Sequence, residues 1–120
     1  MKENAVKDKS FAFALRVVNL AKHLEGEKRE YVLSKQVLRS GTAIGALVRE
    51  AEHAESKADF VHKMSIALKE ANETLYWLEL LHQGAYVGDH SFESIRSDSS
   101  ELIKLLAAIV KTSKVRKRSE

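Results

Sequence analysis

Residues 40–82 read SGTAIGALVREAEHAESKADFVHKMSIALKEANETLYWLELLH. No proline interrupts them, and apolar residues return every three to four positions on either side of a polar break at HAES. That period marks two amphipathic helices joined by a short turn. In the first, Gly41, Ile44 and Val48 continue a stripe begun by Val37. In the second, Phe60, Met64, Ala67, Leu68, Ala71, Leu75 and Leu78 share one arc behind an N-cap candidate, Ser56. Gly41 and Gly45 lie inside a helix, where each costs about 1 kcal/mol against alanine. A helix carries such residues where a neighbouring backbone must come close. Ser40, Gly41, Ile44 and Gly45 are therefore expected at the tightest packing contact of the core.

The pattern extends outward from this pair. A first helix is expected from after Ser10 to about Leu24, with Phe11, Leu15, Val18 and Leu20 facing inward, followed by a turn, EGEKRE, around Gly26. The second helix runs from about Ser34 to about Glu55, and the third from Ser56 to about His82. Gly88-Asp89 is a turn signal. A fourth helix spans roughly 92–113, with Leu102, Leu105, Leu106, Ile109 and Val110 as its apolar half and polar, fraying-prone first turns, ESIRSDSSE. Four helices with short connections make an all-α, up-down-up-down antiparallel bundle. It forms one domain over residues 1–113, followed by a basic tail at 114–120.

The formal net charge of +3 is unevenly spread. In residues 111–120, Lys111, Lys114, Arg116, Lys117 and Arg118 oppose only Glu120, so the other 110 residues sum to −1. Such an end either contacts phosphates or keeps the protein soluble. There is no cysteine, hence neither disulfide nor thiolate chemistry. No apolar run approaches the roughly 18 to 20 residues a membrane span requires, and acidic residues among the N-terminal basic ones argue against a signal peptide. A cytoplasmic location and no membrane partner are the expectation.

Two Glu-x-x-His spacings, Glu50/His53 and Glu79/His82, raise the question of a buried di-metal site. Such a site needs two of these pairs plus one inward glutamate from each remaining helix. Glu50 and His53 face away from the Val37–Val48 stripe, Glu79 and His82 fall in a last turn, the first helix offers only Glu25 near its end, and the fourth has Glu101 near its start. Neither metal nor cofactor is expected. Ser40 and Thr42 have no activating partner nearby, His23, His62 and His90 form no cluster, and no strand precedes the glycines as a phosphate loop demands. An enzyme is not the expected reading.

Glu52 and Glu55 point toward the stripe of the second helix. A buried carboxylate must be paired, which suggests an inner salt-bridged network of Arg49, Glu52 and Glu70. Arg39, Arg49 and Lys57, with Lys111, Lys114, Arg116, Lys117 and Arg118, are the candidate nucleic-acid contacts. Ile66, Tyr76, Trp77 and Leu80 lie off the main stripe of the third helix. They read as an oligomer interface or as a tryptophan lying over a bundle edge.

Residues 35–81 as a whole resemble a known family, the small four-helix-bundle proteins encoded in intervening sequences of bacterial 23S rRNA genes, also called ribosomal protein S23-like. Its relatives include the accessory protein of diversity-generating retroelements. The resemblance rests on Gln36, Arg39, Ser40, Gly41, Ile44, Gly45, Arg49, Glu50, Ser56, Phe60, Ser65, Ala67, Glu70, Glu73, Leu75 and Leu78. Ala46-Leu47 departs from it, since relatives commonly carry Ala-Asn there. The resemblance implies a symmetric homo-oligomer, commonly a pentamer. For the retroelement relatives it also implies nucleic-acid binding and a reverse transcriptase partner. The resulting expectation is a non-enzymatic oligomeric bundle binding RNA or DNA through basic residues displayed on a ring, with a protein-interaction scaffold as the alternative.

Overall fold

The computed structural model describes residues 2–119, with side chains described for residues 5–116. Four helices follow one another: α1 (Lys2–Gly26), α2 (Leu33–Glu52), α3 (Lys57–Gln83) and α4 (Asp89–Ser119). Each packs on its sequence neighbours and α4 closes on α1, giving a body of 52 × 22 × 20 Å. Side-chain pairs fix the directions. Arg39 reaches Glu70 while Lys63 reaches Glu50, and Lys9 meets Glu101 while Arg16 meets Asp98. In each pair of helices one number rises as the other falls, so neighbours are antiparallel and the bundle runs up-down-up-down.

Segment 40–45 lies where three helices meet. On one side, a methyl group added to Gly41 would stand 2.8 Å from both Val17 methyls of α1. Val17 is itself fully buried and β-branched, so it has little room to turn away. At Gly45 an added methyl finds its nearest neighbours, Ser10 atoms, at 3.5 Å. On the other side, Thr74 Oγ1 of α3 lies 2.9 Å from Ser40 Oγ, which in turn donates to the Gln36 carbonyl at 3.1 Å. Both hydroxyls are fully buried. This pairing satisfies two polar groups in the core and pins α2 to α3, a contribution of about 1 kcal/mol. A close approach is therefore found at Gly41 and not at Gly45, and Ile44 between them is buried.

Helix ends are set by side chains. Ser56 Oγ accepts from the Asp59 amide and Asp59 accepts from the Glu55 amide, a reciprocal cap that starts α3. Val32, at the N-cap of α2, has no acceptor to offer. The Glu30 carboxylate takes its place, accepting from the amides of Val32, Leu33 and Ser34 at 3.3, 3.0 and 2.8 Å.

Three expectations need correction. First, α1 begins at Lys2 and buries Val6, Ser10, Phe13, Val17, Ala21 and Leu24, whereas Phe11 and Leu15 are each 51% exposed. FAFALRVV is apolar on two sides, and the inner side is the one in phase with Val6 and Leu24. Second, α2 stops at Glu52, leaving Glu52 and Glu55 exposed instead of inward. Third, α4 starts at Asp89 and continues as helix to Ser119. Its polar first turns are packed, with Phe92, Ile95 and Ser99 buried, and residues 114–119 continue the helix.

The two glycines separate experimentally. Gly41→Ala should lower stability by about 1–2 kcal/mol, because overpacking outweighs the helix-propensity gain. Gly45→Ala should raise it by about 0.5–1 kcal/mol. Urea unfolding followed by circular dichroism reads both, and equal effects of the same sign would contradict this assignment of the close contact.

Candidate nucleic-acid interface

From Leu102 to Ser119 the chain carries six basic residues and no acidic one. The packed face of α4 here is Leu102, Leu106, Ile109 and Val110, so its cations fall elsewhere on the helix. Lys104, Lys111, Lys114 and Arg116 are all exposed. At 1.5 Å per residue they span about 18 Å along the axis. Among the described residues none of the four takes part in a salt bridge. Lys104 was not among the residues singled out from sequence. The signal that finds it is the absence of any acid between Leu102 and Ser119, not the density of lysine in the last ten positions. Lys117 and Arg118 are on the helix, but their side chains lie outside the described residues.

The antiparallel arrangement brings the start of α3 beside the end of α4. Lys57, Phe60 and Val61 from α3 and Ser113 and Arg116 from α4 line a cleft of about 120 Å³. Lys57 therefore joins the cations of α4.

Arg39 and Arg49 do not. Arg39 lies across the α2–α3 seam, with one guanidinium nitrogen 3.2 Å from Glu70 and another on Glu73. Glu73 also accepts from the Trp77 indole at 2.9 Å. Arg49 sits over the Phe11 ring, 5.3 Å from its centroid.

The inner ionic network expected of Arg49, Glu52 and Glu70 is absent, and the three residues have separate partners. Arg49 covers Phe11, Glu52 pairs with Lys7 at 3.0 Å, and Glu70 pairs with Arg39. All three arrangements keep the charges at the surface, where their hydration survives. The end of the core near Glu52 is lined by the apolar side chains of Val48, Ala51 and Met64, which border a cleft of about 210 Å³.

Among the interface candidates, Tyr76 is 54% and Leu80 38% exposed. Trp77 is half-buried against the core, its ring edge-on to Tyr76 at 5.0 Å. Ile66 is half-buried. A second apolar surface, not foreseen, is made by Phe11 and Leu15 on α1. The two Glu-x-x-His pairs do not converge. Glu50 bonds Lys63 at 3.0 Å, and its carboxylate holds the ammonium pKa above the usual lysine value. His82 bonds Asp89 at 2.8 Å and stacks on Phe92 with ring centroids 4.2 Å apart. Among the described residues no three His, Asp or Glu side chains are grouped to hold a metal ion, and no helix is long and apolar enough to cross a membrane. An opening of about 440 Å³ at the sparsely packed α1–α4 seam is lined by Arg16, His23 and Lys28 over Leu20, Val87 and Ile95. Its Arg16 is already bonded to Asp98 and to Ser94.

Taken together, these features define a small antiparallel four-helix bundle with a cation-rich helix end. The chain belongs to the 23S rRNA-intervening sequence protein family, whose model matches residues 2–108. It is similar to a crystal structure of a protein of unknown function from the S23 ribosomal protein family of Bacteroides thetaiotaomicron. The two are 60% identical, with a TM-score of 0.91, over 92% of this chain and 99% of that one. No curated protein matches the chain. The family match ends three residues before Lys111, so Lys111, Lys114 and Arg116 lie beyond it.

Proposed function

We propose that this protein is a non-enzymatic subunit of a homo-oligomer that binds RNA or DNA through the C-terminal half of α4. The observation that carries the reading is the acid-free run after Glu101, with Lys104, Lys111, Lys114 and Arg116 exposed along one helix. A phosphate backbone is the partner this arrangement suits, because each neutralised phosphate releases counterions and adds salt-dependent affinity. Copies arranged around a symmetry axis multiply the effect, since several weak contacts on one strand act together. The pentamer implied by the resemblance remains part of the proposal, and so does a reverse transcriptase partner where the gene lies in a retroelement. The nucleic-acid contact is assigned to the end of α4 with Lys57, and not to Arg39 or Arg49, whose charges are engaged elsewhere.

Self-association is supported by the exposed apolar side chains. Tyr76 and Leu80 lie on α3, and Phe11 and Leu15 on α1. Exposed apolar surface gathered in two places is what an associating subunit presents. The same observation favours a second reading, a protein-interaction scaffold in which these faces bind other proteins and α4 only confers solubility.

Replacing Lys104, Lys111, Lys114 and Arg116 together by glutamine should weaken binding of a short single-stranded RNA at least about tenfold at low salt. It should also flatten the log-affinity against log-salt slope by about three units. Fluorescence anisotropy checks both, and an unchanged slope would favour the scaffold. Tyr76→Ser with Leu80→Ser should lower the mass measured by light scattering while the helical signal is retained. An unchanged mass would move the interface to Phe11 and Leu15.

A further inference from the structure

We propose that the cleft between the start of α3 and the end of α4 receives an unstacked nucleobase, which makes the basic end of α4 a surface for single-stranded nucleic acid. This rests on the polyanion reading of α4 given above. Among the described residues the cleft is lined by Phe60 and Val61, with Lys57 and Arg116 as its charged residues and the Ser113 side chain as a further polar group. Its volume, about 120 Å³, suits one flat ring and not an extended ligand. Phe60 also borders a second cleft, beside Val48 and Met64 at the end of the core. The ring is partly buried against the core and presents an apolar surface to the cleft. An aromatic platform rimmed by an arginine and a lysine is what stacks a base while holding the phosphates on either side of it.

Electrostatics and stacking predict opposite preferences here. A purely cationic helix favours duplex, whose charge density is higher and whose counterion release per contact is larger, roughly 0.9 against 0.7 for a single strand. A base-accepting cleft reverses that order, because an intact duplex keeps its bases stacked inside and yields one only by flipping it out.

The experiment measures anisotropy with three labelled probes of about a dozen nucleotides per strand: oligothymidine, the same backbone with every base removed, and a hairpin duplex. The unaltered protein should bind oligothymidine at least about tenfold more tightly than the abasic strand, and more tightly than the duplex. Phe60→Leu, which keeps an apolar side chain against the core, should remove that advantage and leave the abasic and duplex affinities in place. A thermal melt establishes that this variant is folded, and the comparison of probes on the unaltered protein stands without it. Equal affinity for oligothymidine and the abasic strand would overturn the cleft assignment while leaving α4 as a polyanion site. A preference for duplex would overturn it in the same way. Failure of all three probes to bind at low salt would remove the polyanion reading itself, and the cleft assignment with it.

Discussion

The bundle depends on how closely α1 can approach α2 at Gly41. Val17 occupies the space a side chain at position 41 would take. The next residue back, Ser40, bonds Thr74 of α3. Two adjacent residues of α2 therefore set its distance to both neighbours, one through the absence of a side chain and one through a buried hydroxyl. Side chains in a close-packed core tolerate little change of volume, so the rest of the arrangement follows from this separation. The polar pairs farther out, such as Arg39 with Glu70 and Lys7 with Glu52, lie at the surface and add little stability of their own.

What was legible in the sequence follows from the same physics. The α2 stripe was readable because Val37, Gly41, Ile44 and Val48 have polar neighbours on the opposite face, which leaves a single solution for the helical phase. The start of α3 was readable because Ser56 is a side-chain cap. In α1 the run FAFALRVV offers two apolar sides, and only packing against Gly41 and Gly45 selects the one containing Phe13 and Val17. The α2 cap was hidden because its acceptor is Glu30, two positions before the N-cap residue, a place no local rule marks. The expected network of Arg49, Glu52 and Glu70 failed for a related reason. Helical phase places a residue's Cα but not the end of a long charged side chain, which can turn to water. At the cation-rich end, the lysines were evident as composition. That Lys57 and Arg116 share one cleft is a consequence of antiparallel topology, visible only in three dimensions.

The functional reading separates a packed body from a charged extremity. The body is close to that of the Bacteroides thetaiotaomicron relative over nearly all of that chain's length. Some of its charges pair with one another across the α1–α2, α2–α3 and α1–α4 seams. The last turns of α4 differ in kind, with six basic residues and no acidic one between Leu102 and Ser119. Residues 109–119 continue a helix whose earlier turns are buried in the core, so that charge is held on helix. Helical presentation reduces the ordering cost of binding that a disordered tail would incur. Repetition in an oligomer would then convert modest contacts into useful affinity.

The central claim is that the assembled bundle gathers polyanions by charge. Its most direct test is solution mass by light scattering on a size-exclusion column, with and without a short RNA, at about 0.05 and 0.3 M salt. The account predicts a multimer that carries RNA at the lower salt and releases it at the higher, with its protein mass unchanged. A multimer that takes up no RNA at the lower salt, or a protein that is monomeric throughout, would contradict it.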